Sequence, residues 1–310
     1  MKHRWQSFTW LVTGVVGGAT LLGYLADYGF FFNTLVHFRV QYALGAAVSL
    51  GTFGLLRNKT GVLVAGLLVA ANVWPIVPLY LFKGEAGEAK HSASLLLMNV
   101  LSSNRNTDAV IAEVNRFQPD IIVLEEIIPR WFAALSDLAA TYPYQVHEVR
   151  EDNFGIWVLS KQPIADERIV HWGTGQLPTI IFRYPIGETL LEVVALHPMS
   201  PGSPRGVRWR NDQLREVIRQ YQGCNHPLLI IGDLNTTSFA PVFGEFTQQL
   251  NLKDSRRGFG LQPSWPAASI SPLMITLDHV LVSSELQVID RKTGNDIGSD
   301  HLPVYVEVAF

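Results

Sequence analysis

Gly298-Ser299-Asp300-His301-Leu302-Pro303-Val304, near the end of this 310-residue chain, is the stretch on which its reading turns. Working upstream from it, Leu277-Asp278-His279 opens an apolar run, and Ile230-Ile231-Gly232-Asp233-Leu234-Asn235 closes another. Leu196-His197 and Leu124-Glu125-Glu126 close two more. Short apolar runs bounded by polar or turn residues read as buried strands. Ser94–Asn99, Ile121–Leu124, Phe154–Ser160, Ile180–Tyr184, Leu190–Leu196, Leu228–Ile231, Ile275–Val282 and Val304–Val308 all have this form. Helical spacing marks Thr107–Phe117, Pro129–Ala140, Arg208–Tyr221 and Phe239–Leu250. Many strands with few helices between them imply an α/β fold, a two-sheet α/β sandwich flanked by helices. No internal repeat is visible.

The polar residues at the strand ends carry the chemistry. Glu126 would project from a sheet edge, and its neighbour Glu125 should point to the opposite face of a continuing strand. Asp233 and Asn235 have period-two spacing and could face one side, although an Asx-rich turn is the plain alternative. Gly232 permits a close backbone approach. His197 could hydrogen-bond a phosphoryl oxygen. A histidine held by a carboxylate suits general-base work, and Asp278 could hold one while His301 follows Asp300. Metal ligation is the competing role for His301. Among the cluster Arg205, Arg208, Arg210, Arg215 and Arg219, Arg208 and Arg210 lie nearest the His197 loop and could bind phosphate. Trp209 and Trp265 could touch a base or a lipid, with core packing as the plainer reading. Hard oxygen ligands with a proton-moving imidazole are what metal-assisted phosphoester hydrolysis requires.

The first eighty residues differ in kind. The chain is 48% hydrophobic, with mean hydropathy +0.17, and the excess lies there. Ser7–Ala26, Val40–Leu56 and Gly61–Phe82 are uncharged and approach the ~20 residues of a membrane-spanning helix. Their glycines would allow close helix packing. Pro75 and Pro78 imply a kink near the end of the third stretch. The expectation is a membrane anchor over 1–83 with about three transmembrane helices, a linker over 84–92, and a catalytic domain over 93–310. Lys2 and Arg4, with Arg57 and Lys59, put those loops in the cytoplasm. The catalytic domain would then lie on the extracytoplasmic side of the inner membrane, close to the bilayer. A cleaved signal peptide and a packed helical bundle are the alternatives. From Ala89 onward there are 18 Lys and Arg against 24 Asp and Glu, so no broadly basic footprint for nucleic acid is present. The single cysteine, Cys224, excludes an intrachain disulfide and says nothing of compartment.

In this order, Met98-Asn99-Val100, Leu124-Glu125-Glu126, His197-Pro198, Gly232-Asp233-Leu234-Asn235, Asp278-His279 and Ser299-Asp300-His301 resemble the endonuclease/exonuclease/phosphatase superfamily, which includes DNase I, exonuclease III and sphingomyelinase-type enzymes. The arrangement looks like its membrane-anchored bacterial members. The resemblance covers about residues 93–310 and implies the DNase I-like sandwich and a Mg²⁺-dependent phosphoester hydrolase, with Mn²⁺ as a substitute ion. It implies that Asn99, Glu126 and Asp300 serve the metal and that His197 contacts phosphate. Asp233 and Asn235 would position nucleophile and phosphate, and Asp278 would back the general base His301. Glu125 stands where many members have Gln. The family's mid-sequence catalytic Tyr or Asn has no secure match, and Asn153 is left out of the expected site. The substrate could be nucleic acid by family analogy, a phospholipid or a small phosphoester. A catalytically silent phosphate-binding module on the same fold is the other reading.

Overall fold

The computed structural model describes residues 2–81 and 91–310. The expected linker falls almost wholly outside the described residues. Twelve strands form two sheets. They are β1 Ser92–Asn99, β2 Ile121–Glu125, β3 Tyr144–Glu148, β4 Ile156–Ser160, β5 Ala165–Trp172, β6 Leu177–Ile186, β7 Thr189–Leu196, β8 Leu228–Asp233, β9 Leu252–Asp254, β10 Asp278–Ser283, β11 Gln287–Thr293 and β12 Val304–Ala309. One sheet has the order β11-β12-β1-β2-β4-β3 and the other β5-β6-β7-β8-β10-β9. The two inner faces bury Leu95, Leu97, Val123 and Val158 against Phe182, Val193, Ile231 and Val280. This is the two-sheet sandwich the apolar runs predict.

The sheets share a plan. Each holds one parallel pair, β1 with β2 and β7 with β8, between antiparallel neighbours. A helix connects each parallel pair, α6 Thr107–Phe117 in the first sheet and α8 Pro204–Tyr221 in the second. Asn106 caps α6 by accepting the Ala109 amide, and Ser203 caps α8 by accepting that of Gly206. α7 Pro129–Ala134 packs with α6 on the first sheet, and α9 Pro241–Gln249 with α8 on the second. The repetition is one of topology, which explains why no repeat shows in the sequence. Parallel strands also end together. Asn99 pairs in register with Glu125 in the first parallel pair, and Asp233, at the end of β8, pairs with Asp278 at the start of antiparallel β10, so the chemistry-bearing residues gather at one end of the sandwich.

The N-terminal segment corrects an expectation. It forms α1 Lys2–Gly23, α2 Phe30–Val36, α3 Arg39–Leu55, α4 Lys59–Val73 and α5 Pro78–Leu81. Among the described residues no helix is long and apolar enough to cross a membrane. α3 has 17 residues and α4 has 15, which at a 1.5 Å rise gives roughly 26 and 22 Å against a hydrocarbon core of about 30 Å. The third apolar stretch is not one helix, because it turns at Trp74–Val77 before α5. α1 is long enough but diluted by Thr9, Thr13, Thr20 and its glycines. The helices pack into a layer. Trp10 meets Phe53 with ring centroids 4.8 Å apart, and Gly45 lies against Val16, so α1 and α3 run antiparallel.

The outward face of this layer is apolar, and its interior mixes small polar residues with Val16, Ala43, Ala46, Phe53 and Ala65. Thr13, Thr20, Arg39, Ser49 and Asn72 are buried, while Trp5, Phe8, Leu11, Val15, Val48, Leu63 and Leu67 are exposed. Inside, the Asn72 amide donates to Thr20 Oγ1 at 3.0 Å and Arg39 donates to Asn72 Oδ1 at 3.4 Å. The layer touches the sandwich through α2, the start of α3 and α5. Gln41 donates to the carbonyls of Pro272 and Met274, and Leu79 O accepts the amides of Gly258 and Gly260.

Candidate active site

The strand ends, with loops before β12 and after β7, enclose a pocket of about 800 Å³. Glu126, His197, Asp233, Asn235, Asp300 and His301 all line it. Asn99 stands directly beneath, donating from Nδ2 to Glu126 Oε1 at 3.3 Å and to Asp233 Oδ2 at 3.5 Å. Asp278 lies behind His301, with Oδ2 2.8 Å from Nδ1. On the other side of the ring, His301 Nε2 is 3.5 Å from Asp233 Oδ2. The same oxygen is 3.6 Å from His197 Nε2. Asp233 therefore lies between two imidazoles, one of them anchored by a second carboxylate.

Backbone geometry sets this up. Glu126 adopts φ +63°, a left-handed conformation costly for a side chain other than glycine's. It breaks the strand's alternation, so Glu125 and Glu126 both serve the site, contrary to the expectation for Glu125. Glu126 Oε2 accepts the Ser102 amide at 2.8 Å. The Glu125 carboxylate, fully buried, accepts the Asp233 amide with both oxygens at 3.1 Å. Gly232 makes that possible, since a Cβ there would stand 1.9 Å from Leu196 O and 2.9 Å from Glu125 Oε1. Asn235, with φ +51°, donates its amide to Asp233 Oδ1 at 2.8 Å and its Nδ2 to Pro198 O at 3.0 Å. The loop before β12 is held by Ser299 Oγ, which donates to Asn99 O at 2.7 Å and accepts the His301 amide at 3.1 Å.

The electrostatics follow from burial and crowding of carboxylates. Burial, with Asp233 and Asp278 close by, raises the Glu125 pKa well above the usual carboxylate range. Burial also raises that of Asp233, against the two imidazoles. Burial disfavours a charged His301, but the carboxylates of Asp278 and Asp233 outweigh it and raise its pKa to about 10. His197 has no direct carboxylate partner as close, and burial lowers it.

Two expectations are corrected. Arg210 is fully buried and does not line the pocket. It donates to Asn235 O at 2.9 Å, to Asn33 Oδ1 at 3.3 Å and to Asn211 Oδ1, which makes it a strut beneath the Asn235 turn. Arg208 is exposed and lines a separate cleft beside Asp27 and Tyr28, because helical spacing turns it away from the pocket. Two residues enter that sequence reasoning set aside. Asn153 lines the pocket, and Phe154 beside it packs on the His197 ring at 5.4 Å. Trp265 is not simply core, since its Nε1 donates to Asp300 Oδ2 at 3.1 Å. His279 faces away by strand alternation and bonds Thr236 O at 2.9 Å.

The residues fit a divalent cation. Glu126 and Asp300 bring hard oxygens to one pocket, and Asp300 Oδ1 is buried with no hydrogen-bond partner among the described residues. Asp233, Asp278 and His301 are also close enough together to hold a metal, but Asp278 is already committed to the imidazole. A carboxylate-anchored histidine, a buried aspartate and an oxygen-rich cation site define a metal-dependent hydrolase of phosphoric esters.

The comparisons agree. The Endonuclease/Exonuclease/phosphatase family profile matches residues 96–301, and the chain belongs to that family. An inositol phosphosphingolipids phospholipase C of Saccharomyces cerevisiae is 26% identical over 203 residues, which is 57% of this chain and 40% of that protein. The chain thus spans well under half the length of this relative. A truncated TDP2 of Caenorhabditis elegans superposes with TM-score 0.57 at 18% identity, over 71% of this chain and 98% of that one. TDP2 of D. rerio, complexed with a single-strand DNA product, gives 0.59 at 15% identity over 71% and 99%. The human Nocturnin catalytic domain with bound sulfate gives 0.54 at 18% over 71% and 94%. At these identities the structures speak for the fold alone.

Proposed function

We propose that the protein is a Mg²⁺-dependent phosphodiesterase acting on phosphoesters at a lipid surface. The observation that carries the catalytic reading is the line Asp278–His301–Asp233, with spacings of 2.8 and 3.5 Å, facing a pocket that Glu126 and Asp300 also enter. Mg²⁺, or Mn²⁺ in its place, held by Glu126 and Asp300 with Asn99 in support, would polarise a phosphoryl oxygen. As the oxygen of the attacking water bonds to phosphorus, the bond from phosphorus to the departing ester oxygen breaks; in the Asp233–His301 pair the carboxylate of Asp233 takes the water's proton, the charged ring of His301 supplies a proton to the departing oxygen, and Asp278 fixes that ring. His197 and the second N–H of the Asn235 side-chain amide, whose first is held by Pro198 O, donate to the oxygens that gain charge. Asn153 is placed to do the same.

Two features favour lipid or a small ester over a polynucleotide. Among the described residues lining the pocket there is no Lys or Arg, whereas backbone tracking by nucleic-acid enzymes relies on such cations. The apolar outward face of the helical layer supports contact with hydrocarbon, since contiguous apolar surface on this scale marks membrane or protein contact. Lys2, Arg4, Arg57 and Lys59 gather at the end of the layer opposite α2 and α5.

The test is turnover of a phospholipid in vesicles, of bis(p-nitrophenyl) phosphate and of plasmid DNA by the full chain, with Mg²⁺ and with chelator. Metal-dependent release of the lipid headgroup that Asp233→Ala abolishes is the expected result. Chelator-resistant turnover, or undiminished turnover by Asp233→Ala, overturns the reading. Plasmid nicking without lipid hydrolysis makes the protein a nuclease.

A further inference from the structure

The sandwich does not close the catalytic pocket by itself. Asn33, Thr34, His37 and Phe38, from α2 and the turn after it, form one wall. Beside that wall lies a second cavity of about 220 Å³, which shares His37 and Ile275 with the first. Its surfaces are largely apolar, among them Val40, Leu44, Phe239 and Met274. The cation that reaches it, Arg256, is paired with Asp254 at 2.6 Å. Leu44 is 48% exposed, and Leu273 and Ile270, in the loop on its far side, are 59% and 69% exposed. An apolar recess thus runs from the phosphate end of the site to the exposed apolar surface.

His37 stands at the junction. It is buried, and its Nδ1 accepts the Thr237 amide at 3.4 Å and lies 3.0 Å from Thr237 Oγ1. With Nδ1 accepting, the proton of the neutral ring belongs on Nε2. That Nε2 is buried and has no partner among the described residues. Buried donors are nearly always satisfied, so an orphan on a cavity wall points to an absent acceptor. Burial, with the Arg210 charge nearby, lowers the His37 pKa to about 3 and keeps the ring a neutral donor.

We propose that His37 and the side cavity form a subsite for an amphipathic phosphodiester. The phosphate lies at Asp233 and His301, an oxygen next to it accepts from His37 Nε2, and the hydrocarbon chain passes between His37 and Ile275 into the recess. This rests on the phosphodiesterase reading and adds to it that the N-terminal layer selects the substrate by its chain.

The test uses n-alkylphosphocholines, single-chain phosphodiesters, below their micelle concentrations. Binding to the full chain is measured in chelator, where hydrolysis does not interfere. Affinity should rise about tenfold for every two methylenes that enter the cavity. Met274→Trp and Leu44→Trp, which fill the recess, should flatten that dependence. His37→Phe should weaken the hexyl and decyl homologues by the same factor, because it removes one hydrogen bond and leaves the recess. A chain-length dependence that survives both tryptophan variants means partition onto the exposed helices and overturns the proposal. Hydrolysis of diesters with no chain-length dependence sinks the subsite alone. Chain-length dependence without any hydrolysis in Mg²⁺ sinks the catalytic reading and leaves the subsite.

Discussion

The sandwich and the helical layer solve opposite problems with the same residue types. In the sandwich, leucine and valine fill the space between sheets, and polar groups stand at the strand ends around the pocket. In the layer, Thr20, Asn72 and Arg39 bond to each other inside, Thr13 and Ser49 bond to carbonyls of their own helices, and Trp5, Phe8, Leu11 and Leu67 face outward. Apolar residues therefore report a core only relative to a solvent. Small polar residues at a helix interface with apolar faces outside are what a low-polarity surrounding favours.

The comparison can be broken most sharply at the catalytic strand ends. His301→Ala should cut turnover by about 10²–10⁴, the range for losing a general acid–base group, while the unfolding midpoint stays close to wild type. A melt showing global destabilisation would make His301 structural. Next come paired truncations in the two regions. Leu97→Ala, between the sheets, should cost about 2–5 kcal/mol. Leu67→Ala, exposed on α4, should stay within about 0.5 kcal/mol and instead weaken binding to vesicles. Equal costs in denaturant titrations would erase the distinction between the regions.

Arg210 joins them, through Asn33 on one side and the Asn235 carbonyl on the other. Arg210→Met should destabilise by about 1.5–3 kcal/mol, the worth of hydrogen bonds from a charged donor, and should lower activity through Asn235. Unchanged stability by calorimetry would show the strut to be dispensable. The last effect shows only in acid. His37 is neutral in the fold down to about pH 3, against 6.5 for the unreacted side chain. Below 6.5 the unfolded chain binds the proton first. The contribution of His37 is thus complete above about pH 6.5 and declines as pH falls toward 3. His37→Gln should show a shallower loss of stability between pH 7 and 4 than wild type, and an identical slope would remove His37 from the account.

Much of the sandwich was legible because its central strands are buried on both faces and read as unbroken apolar runs. Its edges were not. β3, β5 and β11 alternate with charged residues such as Glu148, Arg168 and Asp290, and their exposed faces hide them. The order of polar residues at strand ends led to the pocket, since Asn99, Glu126, His197, Asp233, Asn235, Asp278, Asp300 and His301 converge there. Arg208 and Arg210 misled because phosphate affinity was inferred from residue type without the helix phase. Glu125 was misplaced because the left-handed turn at Glu126 breaks the alternation on which the inference depended. Asn153 and His37 left no local signal, as each becomes part of the site only when distant segments meet. The long third apolar stretch looked like a span until Pro75 and Pro78 were seen to end α4 early.

One wall of the pocket comes from a segment outside the family's matched region. Because Arg210 bonds Asn33 on that wall and the Asn235 carbonyl in the catalytic turn, a change in the wall reaches the catalytic groups through one side chain.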